Sequence, residues 1–421
     1  MPSDKRVLVV GTTPDYIDWI RNSSPGEALF LTDPAARRGA QEPCPAPAEE
    51  ILCDLADDEQ VRHSLRQHLH THGLHLEGVV CYDCESMELA AVLAREYALS
   101  YPSDQSVKNC RNKYLSKILW EKQGLKTPRV KPIVSTTDAA QSVRELDGAC
   151  VLKPVSGSGS ELIFVCKDAK TCEKRFLDIQ QGLQQRQGNR LYNSYGVDTP
   201  VIMAETWVEG DEYSCDFVLE NGHARVIRLT RKILSSSGPF GTAMGYVLPA
   251  QLPASVGEND FLQTLASSAA ALGLERAVCM LDFIIHKGRI VLLELAPRPG
   301  GDCLPFLLRR CWNLDVLKLF LDFSRGRPLR WPPNFGKGTC VGLRLHAGAG
   351  GTVKKIDAGL LERDKRVREV YLKRRPGHRI EMPPKDYDSW ILGHVIFCPD
   401  GHRAMQVECR ELLEKLFVEI V

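Results

Sequence analysis

Three short stretches of this 421-residue chain hold side chains whose types and spacing suit phosphate and metal chemistry. In the first, a β-branched run from Val151 reaches Lys153 and is followed by five small residues, Ser156-Gly157-Ser158-Gly159-Ser160. A lysine at a strand end beside a Gly/Ser loop can hold phosphate oxygens, because nothing bulky keeps the backbone away from them. The lysine precedes the glycines, so this is not a Walker loop, and no Gly-x-x-x-x-Gly-Lys-Ser/Thr occurs. In the second stretch, Glu205 and Glu212 frame a turn at Gly210. Main-chain groups there can read an adenine edge and a carboxylate can accept from ribose hydroxyls, while a charged hairpin is the plain alternative. In the third, Asp282 and Glu294 lie on the two arms of a hairpin expected over Ala277 to Ile285 and Gly288 to Leu295. Carboxylates opposed in this way hold Mg²⁺ while phosphate oxygens complete its octahedron. Unpaired, they would be costly in an otherwise apolar hairpin. Arg298, locked between Pro297 and Pro299, can face a transferring phosphoryl group.

These residues need several elements to position them. The length implies two to four domains. Arg6 to Val10, Ala28 to Leu31 and Gly78 to Tyr82 are short apolar runs separated by helical or polar stretches, the beat of an open parallel α/β sheet. The turn after the first run lacks Gly-x-Gly-x-x-Gly, so no dinucleotide site is expected there. Helices are expected over Glu85 to Leu99 and Ser103 to Gln123. Strands follow at Arg129 to Val134, Ala149 to Pro154, Glu161 to Val165, Val201 to Val208 and Tyr213 to Glu220, with Gln180 to Thr199 as a surface excursion. A helix over Asn259 to Gly273 precedes the hairpin. Gly326 to Gly338, with three prolines, marks a boundary, beyond which short strands lead to a final helix over Met405 to Glu419.

Composition excludes several classes of function. With 54 Lys and Arg against 53 Asp and Glu, the charge of +1 gives no global field toward nucleic acid or an anionic membrane. No apolar run is long enough to span a bilayer, and Met1 to Arg6 is too polar to open a secretory leader, so a cytoplasmic protein is expected. Fifteen scattered cysteines read as reduced thiols. Cys81 and Cys84 form the one Cys-x-x-Cys spacing, which lacks the second pair usual for zinc. His68, His70, His72 and His75 cluster without an acidic or thiol partner at ligand spacing and are read as an exposed helix end. No Gly-x-Ser-x-Gly elbow supports a hydrolase.

In order and spacing, the pieces from about Gly78 to Pro328 resemble the ATP-grasp superfamily, which activates a carboxylate with ATP and joins it to a nucleophile. The resemblance is to its carboxylate-amine ligase branch, with a biotin-carboxylase-like architecture. It implies an N-terminal parallel α/β (pre-ATP-grasp) domain over 1–109 and a two-subdomain ATP-grasp core over 110–328, with its lid at about 129–208. A small C-terminal α+β domain over 329–421 completes the α/β and α+β, multidomain fold. ATP and Mg²⁺ or Mn²⁺ are the implied cofactors. Lys113 and Lys153 resemble the two nucleotide lysines, and Ser156, Gly157, Ser158 and Gly159 the loop over the β- and γ-phosphates. Glu205 resembles the residue at the adenine amino group, Val208 with Trp207 the adenine contact, and Glu212 the ribose carboxylate. Asp282 and Glu294 match the metal carboxylates, Arg298 the arginine at the acyl phosphate, and Gly300-Gly301 the turn lining the acceptor site. Arg228, Arg231 and Lys232 lie where the family carries basic groups toward the γ-phosphate or substrate carboxylate, and Ser235 to Gly241 where a flap closes. Ala296 departs from the usual asparagine ligand. The implied partners are a small-molecule carboxylate and an amine, an amino acid or similar, with a homodimer as an admissible assembly and neither nucleic acid nor membrane. A catalytically degenerate ATP-binding module and a bicarbonate-activating carboxylase-type enzyme are the alternatives.

Overall fold

The computed structural model describes residues 4–38, 40–192, 201–235, 238–332 and 335–421. Near the N-terminus, four parallel strands lie in the order Glu50–Leu52, Ala28–Thr32, Lys5–Val10 and His75–Val80. Val7 to Val10 are completely buried, as expected for a parallel sheet covered on both faces by helices. The turn at the end of the first strand has no room for a side chain. Gly11 has φ +63°, and a Cβ there would meet the Ser86 hydroxyl at 2.1 Å and the Asp83 carboxylate at 2.4 Å. This close approach brings the Cys81 to Ser86 loop to the carboxyl end of the sheet. His68, on helix Asp58–His72, contacts the Ala48 carbonyl and the His72 ring.

The expected helix over Ser103 to Gln123 is two helices, Asp104–Arg111 and Lys113–Lys122. Asn112 leaves helical geometry, and its side chain accepts from the Leu115 N–H at 2.9 Å, capping the second helix. Asparagine favours this role because its short amide satisfies a backbone donor that the helix leaves orphaned. The break places Lys113 in the first turn, facing the Gly/Ser loop.

A four-stranded antiparallel sheet follows, ordered Val130–Ile133, Ile202–Thr206, Cys150–Pro154, Phe164–Cys166 and backed by helices Thr136–Glu145 and Ala169–Gln185. The strand expected from Glu161 starts only at Phe164, because Ser160 and Leu162 adopt positive φ and continue the loop. The surface excursion expected from Gln180 begins as the last turns of helix Ala169–Gln185, then a short 3₁₀ turn at Arg190–Tyr192. Its remainder lies outside the described residues.

The floor is an eight-stranded antiparallel sheet, ordered Arg289–Ala296, Ala277–His286, Asp211–Glu220, His223–Leu234, Ala243–Leu248, Cys340–His346, Ile391–Phe397 and Val367–Leu372. Three of its strands come from beyond the proline-rich boundary, so main-chain pairing runs across it. The hairpin turn has Lys287 and Gly288 both at positive φ, a two-residue connection whose twist matches its strands. The helix expected over Met405 to Glu419 stops at Leu413, and Phe417–Ile420 pairs instead with Gly351–Asp357.

Helices Leu304–Trp312 and Val316–Ser324 join the parallel sheet to the floor. Tyr82 donates to the Leu317 carbonyl at 2.9 Å and Trp19 to Asp315 at 3.0 Å. Within the floor, Arg228 is 1% exposed and makes a two-pronged bond to Asp216, 2.9 Å on each arm. Asp216 also accepts from the Gly300 N–H at 3.0 Å, which ties the Arg298 loop to the sheet. Removing one partner of such a pair strands a buried charge, so Asp216→Ala should lose about 3–5 kcal/mol in denaturant unfolding. A loss below about 1 kcal/mol would mean water reaches the pair.

Candidate active site

The lid sheet and the floor enclose a cavity with two chambers, and Lys113, Gly157, Lys232, Asp282 and Glu294 line both. Lys153 and Glu205 come from neighbouring lid strands paired Lys153↔Met203 and Val151↔Glu205. The Lys153 ammonium donates to Glu205 Oε1 at 2.5 Å. Lys117, one helical turn beyond Lys113, stands 3.3 Å from Glu205 Oε2. Burial pushes Lys117 down to about 8, only partly opposed by Glu205, with Lys153 adding to the depression. Burial alone would raise Glu205, yet Lys117 and Lys153 together hold it below the usual carboxylate range.

On the floor, the register places Asp282 directly opposite Glu294. Lys232 donates to Glu212 Oε1 and Asp282 Oδ2, both at 2.6 Å. Asp282 Oδ1 is buried with no hydrogen-bond partner among the described residues. Lys113 donates to the Gly157 carbonyl at 2.6 Å and reaches Glu294 at 3.3 Å, bridging the second helix, the Gly/Ser loop and the floor. Burial works against ionised Glu294, but Lys113, Lys232, Lys153 and Lys117 together pull it down to about 2. Among the described residues no group of three or more His, Cys, Asp or Glu could hold a metal by protein ligands alone. A cation between Asp282 and Glu294 would therefore complete its shell with water or with oxygens of a bound ligand.

The outer chamber is lined by Ser156 to Ser160, Glu205, Trp207, Val208 and Glu212, with Trp207 41% exposed. Amides, an exposed indole and apolar Val151, Val208 and Ile284 make a slot suited to a flat heterocycle, with the Glu205 and Glu212 carboxylates in the same lining. The inner chamber extends to Cys84, Met87, Tyr246, Ala296, Arg298, Gly301 and Arg344. Arg344 pairs with Asp302 across it.

Not every expected residue reaches the cavity. Arg231 and Lys232 are adjacent on one strand and so point to opposite faces. Lys232 faces the carboxylates, whereas Arg231 lies outside the lining, part-exposed and 3.8 Å from Asp211. Arg228 is inside the sheet on Asp216. Gly300 serves the same anchor, since a Cβ there would meet Arg228 at 2.3 Å, and it is Gly301 that lines the chamber. Of the expected flap, residues 236 and 237 lie outside the described residues, and Phe240 and Gly241 line the outer chamber. Lys117 and Arg344 escaped the sequence reading. The i, i+4 spacing from Lys113 was a usable signal for the first, and nothing local marks the second.

Residues 146–305 match the model of the ATP-grasp domain. The chain therefore carries an ATP-grasp domain. It is 24% identical over 271 residues to human carnosine synthase 1, covering 62% of this chain and 32% of that one. To the L-arginine-specific L-amino acid ligase of Bacillus subtilis it is 20% identical over 332 residues, 76% of this chain and 75% of the relative. The chain spans about a third to a half of the length of several curated relatives it matches. The L-amino acid ligase of Bacillus licheniformis shares the fold with TM-score 0.77 at 19% identity, over 99% of both chains.

Lys117 yields a pH signature. Its folded value, about 8, lies below its ordinary 10.5, so the charged form is disfavoured by folding. Between those values the unfolded chain binds more protons, and stability must rise with pH. Measured against Lys117→Met, which cannot titrate, the thermal midpoint of the wild type should gain between pH 8 and 10.5, the window those two values define. Parallel curves would show that Lys117 is not desolvated.

Proposed function

We propose that the chain is an ATP-dependent ligase that activates a carboxylate as an acyl phosphate and joins it to an amine, with an amino acid or similar small molecule as substrate. The observation that carries this reading is the shared wall of the two chambers, where Lys113, Lys232, Asp282 and Glu294 face both. A nucleotide in the outer chamber would present its terminal phosphate at that wall, to a carboxylate in the inner one. Lys153 and the Ser156 to Gly159 amides would hold phosphate oxygens, Trp207 and Val208 the base, and Glu212 the ribose.

Asp282 and Glu294 fit a divalent cation of the Mg²⁺ or Mn²⁺ kind: both are hard oxygen donors, and Asp282 Oδ1 is buried without a partner. A metal there would neutralise phosphate charge and orient the chain of phosphates. The substrate carboxylate attacks the γ-phosphorus in line, the bond to the β–γ bridging oxygen breaks, and ADP leaves. The amine nitrogen then attacks the acyl carbon, expelling inorganic phosphate. Lys232 and Arg298 would meet the charge that builds on the phosphoryl and acyl oxygens. No nucleophilic Ser or Cys is required. The division at 109 and 328 goes with this reading, the N-terminal sheet and the region beyond the proline-rich boundary closing the inner chamber from two sides.

Ala296 lines the inner chamber and offers no ligand atom, which favours a degenerate nucleotide-binding module as the second reading. Two measurements separate them. Amino-acid pairs supplied with ATP and Mg²⁺ should include one that forms more ADP than its members do singly, with a product mass equal to the two acids minus water. Tight ATP binding with a silent screen would establish the module, and turnover stimulated only by bicarbonate would establish a carboxylase. In the active pair, Glu294→Gln keeps the shape and removes the charge, so ADP formation should fall on the order of 100-fold, about 2.7 kcal/mol. An active Glu294→Gln enzyme would remove the metal assignment.

A further inference from the structure

Among the described residues, the cations lining the cavity are compensated by carboxylates, with one exception. Lys113 reaches Glu294, Lys153 is bonded to Glu205, Lys232 to Glu212 and Asp282, and Arg344 to Asp302. Arg298 has no carboxylate oxygen within 4.0 Å among the described residues. Its Nε and Nη2 both point at the Cys84 sulfur, at 3.2 and 2.9 Å, and its Nη1 donates to the Pro299 carbonyl at 2.8 Å. Asp83, an acid near enough to act on Arg298, is turned away to the Ser86 N–H at 2.7 Å and pushed up to about 6 by burial and Glu85.

Cys84 is itself fixed. Its carbonyl accepts from Arg111, and the loop that carries it is held against Gly11. The other member of the Cys-x-x-Cys spacing does a different job: Cys81 is wholly buried and donates to the Asp83 carbonyl at 3.2 Å, shaping the loop without reaching the cavity. An arginine fork normally meets a carboxylate or phosphate, whose charge it neutralises. A cysteine in that place aims the guanidinium without a carboxylate fork to close on it.

We propose that Cys84 is a positioning residue for Arg298, a sulfur standing where a carboxylate would pair with the fork, which orients the guanidinium toward the inner chamber and leaves it to an incoming anion, either a phosphate or the acyl phosphate formed from the substrate. The proposal rests on the ligase reading for the identity of that anion, but the binding it describes does not need turnover. Inorganic phosphate is therefore the probe, titrated calorimetrically into protein saturated with MgADP. Cys84→Asn supplies a neutral acceptor, and Cys84→Asp places a carboxylate of similar size against the fork.

Wild type and Cys84→Asn should bind phosphate within about threefold of each other, and Cys84→Asp at least about tenfold more weakly. ADP affinity should be the same in all three. Arg298→Met should abolish the difference, which places the anion at the guanidinium. Equal phosphate affinity in the Asn and Asp variants would overturn the proposal, as would loss of phosphate binding in Cys84→Asn. If Cys84→Asp does not fold, iodoacetate and iodoacetamide on the wild-type protein install a charged and a neutral group at the same sulfur, with occupancy of Cys84 read by mass. The charged adduct alone should lose phosphate, and equal binding by both adducts would overturn the proposal. A silent amino-acid screen with the expected phosphate pattern would sink the ligase reading and leave Cys84 in its role, whereas an active ligase with indifferent Asp and Asn variants would do the reverse.

Discussion

Two carboxylates face each other across a hairpin whose remaining side chains are almost all apolar, and the architecture of the site follows from the need to compensate them. Asp282 and Glu294 are brought together by strand register, which pairing and the two-residue turn leave no freedom to change. Two like charges at that separation repel, and burial adds to the cost. Four lysines from three different elements answer them: Lys113 and Lys117 from one helix, Lys153 from the lid and Lys232 from the floor. Each lysine is tied to a carboxylate, Lys117 and Lys153 sharing Glu205, so lid, helix and floor are joined through the charges that a polyanionic ligand would meet. A ligand of that kind competes for the same cations, and binding must therefore reorganise the contacts between lid and floor.

The ion pairs in this cavity differ in kind from those elsewhere. Arg228 and Asp216 are enclosed in the sheet, with every guanidinium arm satisfied, and they hold the Gly300 amide. That pair is scaffold. Lys232, by contrast, lines both chambers and leaves Asp282 with one oxygen unbonded. Incomplete satisfaction of a buried acid is destabilising in isolation and becomes useful where a cation is to bind. Adjacent strand positions make the same division, Lys232 reaching the site and Arg231 turning to solvent beside Asp211.

What could be read in the sequence was whatever local geometry dictates. The hairpin at Lys287-Gly288, the strand ending at Lys153 and the flexible loop after it follow from turn chemistry and β-branching, and they carry most of the cavity wall. Asn112 shows where local reading fails: one helix is expected to run through it, but its capping bond to Leu115 starts a second. Lys117 was legible in principle from its spacing to Lys113. Arg344 was not, because its place in the cavity depends on strand Cys340–His346 pairing with Ala243–Leu248, nearly a hundred residues earlier. Nor did the proline-rich stretch around Pro332 reveal that the same sheet continues beyond it. Contacts between elements distant in sequence have no local periodicity to report them.

The Cys81-Tyr82-Asp83-Cys84 segment joins these strands of reasoning. Its Cys-x-x-Cys spacing is read as reduced thiols, and the two sulfurs occupy different environments, one sealed in the core and one in the cavity. What separates them is the parallel sheet: Val80 ends the strand, Cys81 still points into its core, and the loop that follows is forced over Gly11 toward Arg298. A carboxylate at position 84 would give Arg298 a stronger partner and a more stable resting site. It would also extend to Arg298 the neutralisation that every lysine lining the cavity already has. A cysteine gives Arg298 a weaker partner than a carboxylate would, so stability is given up at a single position to leave the guanidinium available where an anion must arrive.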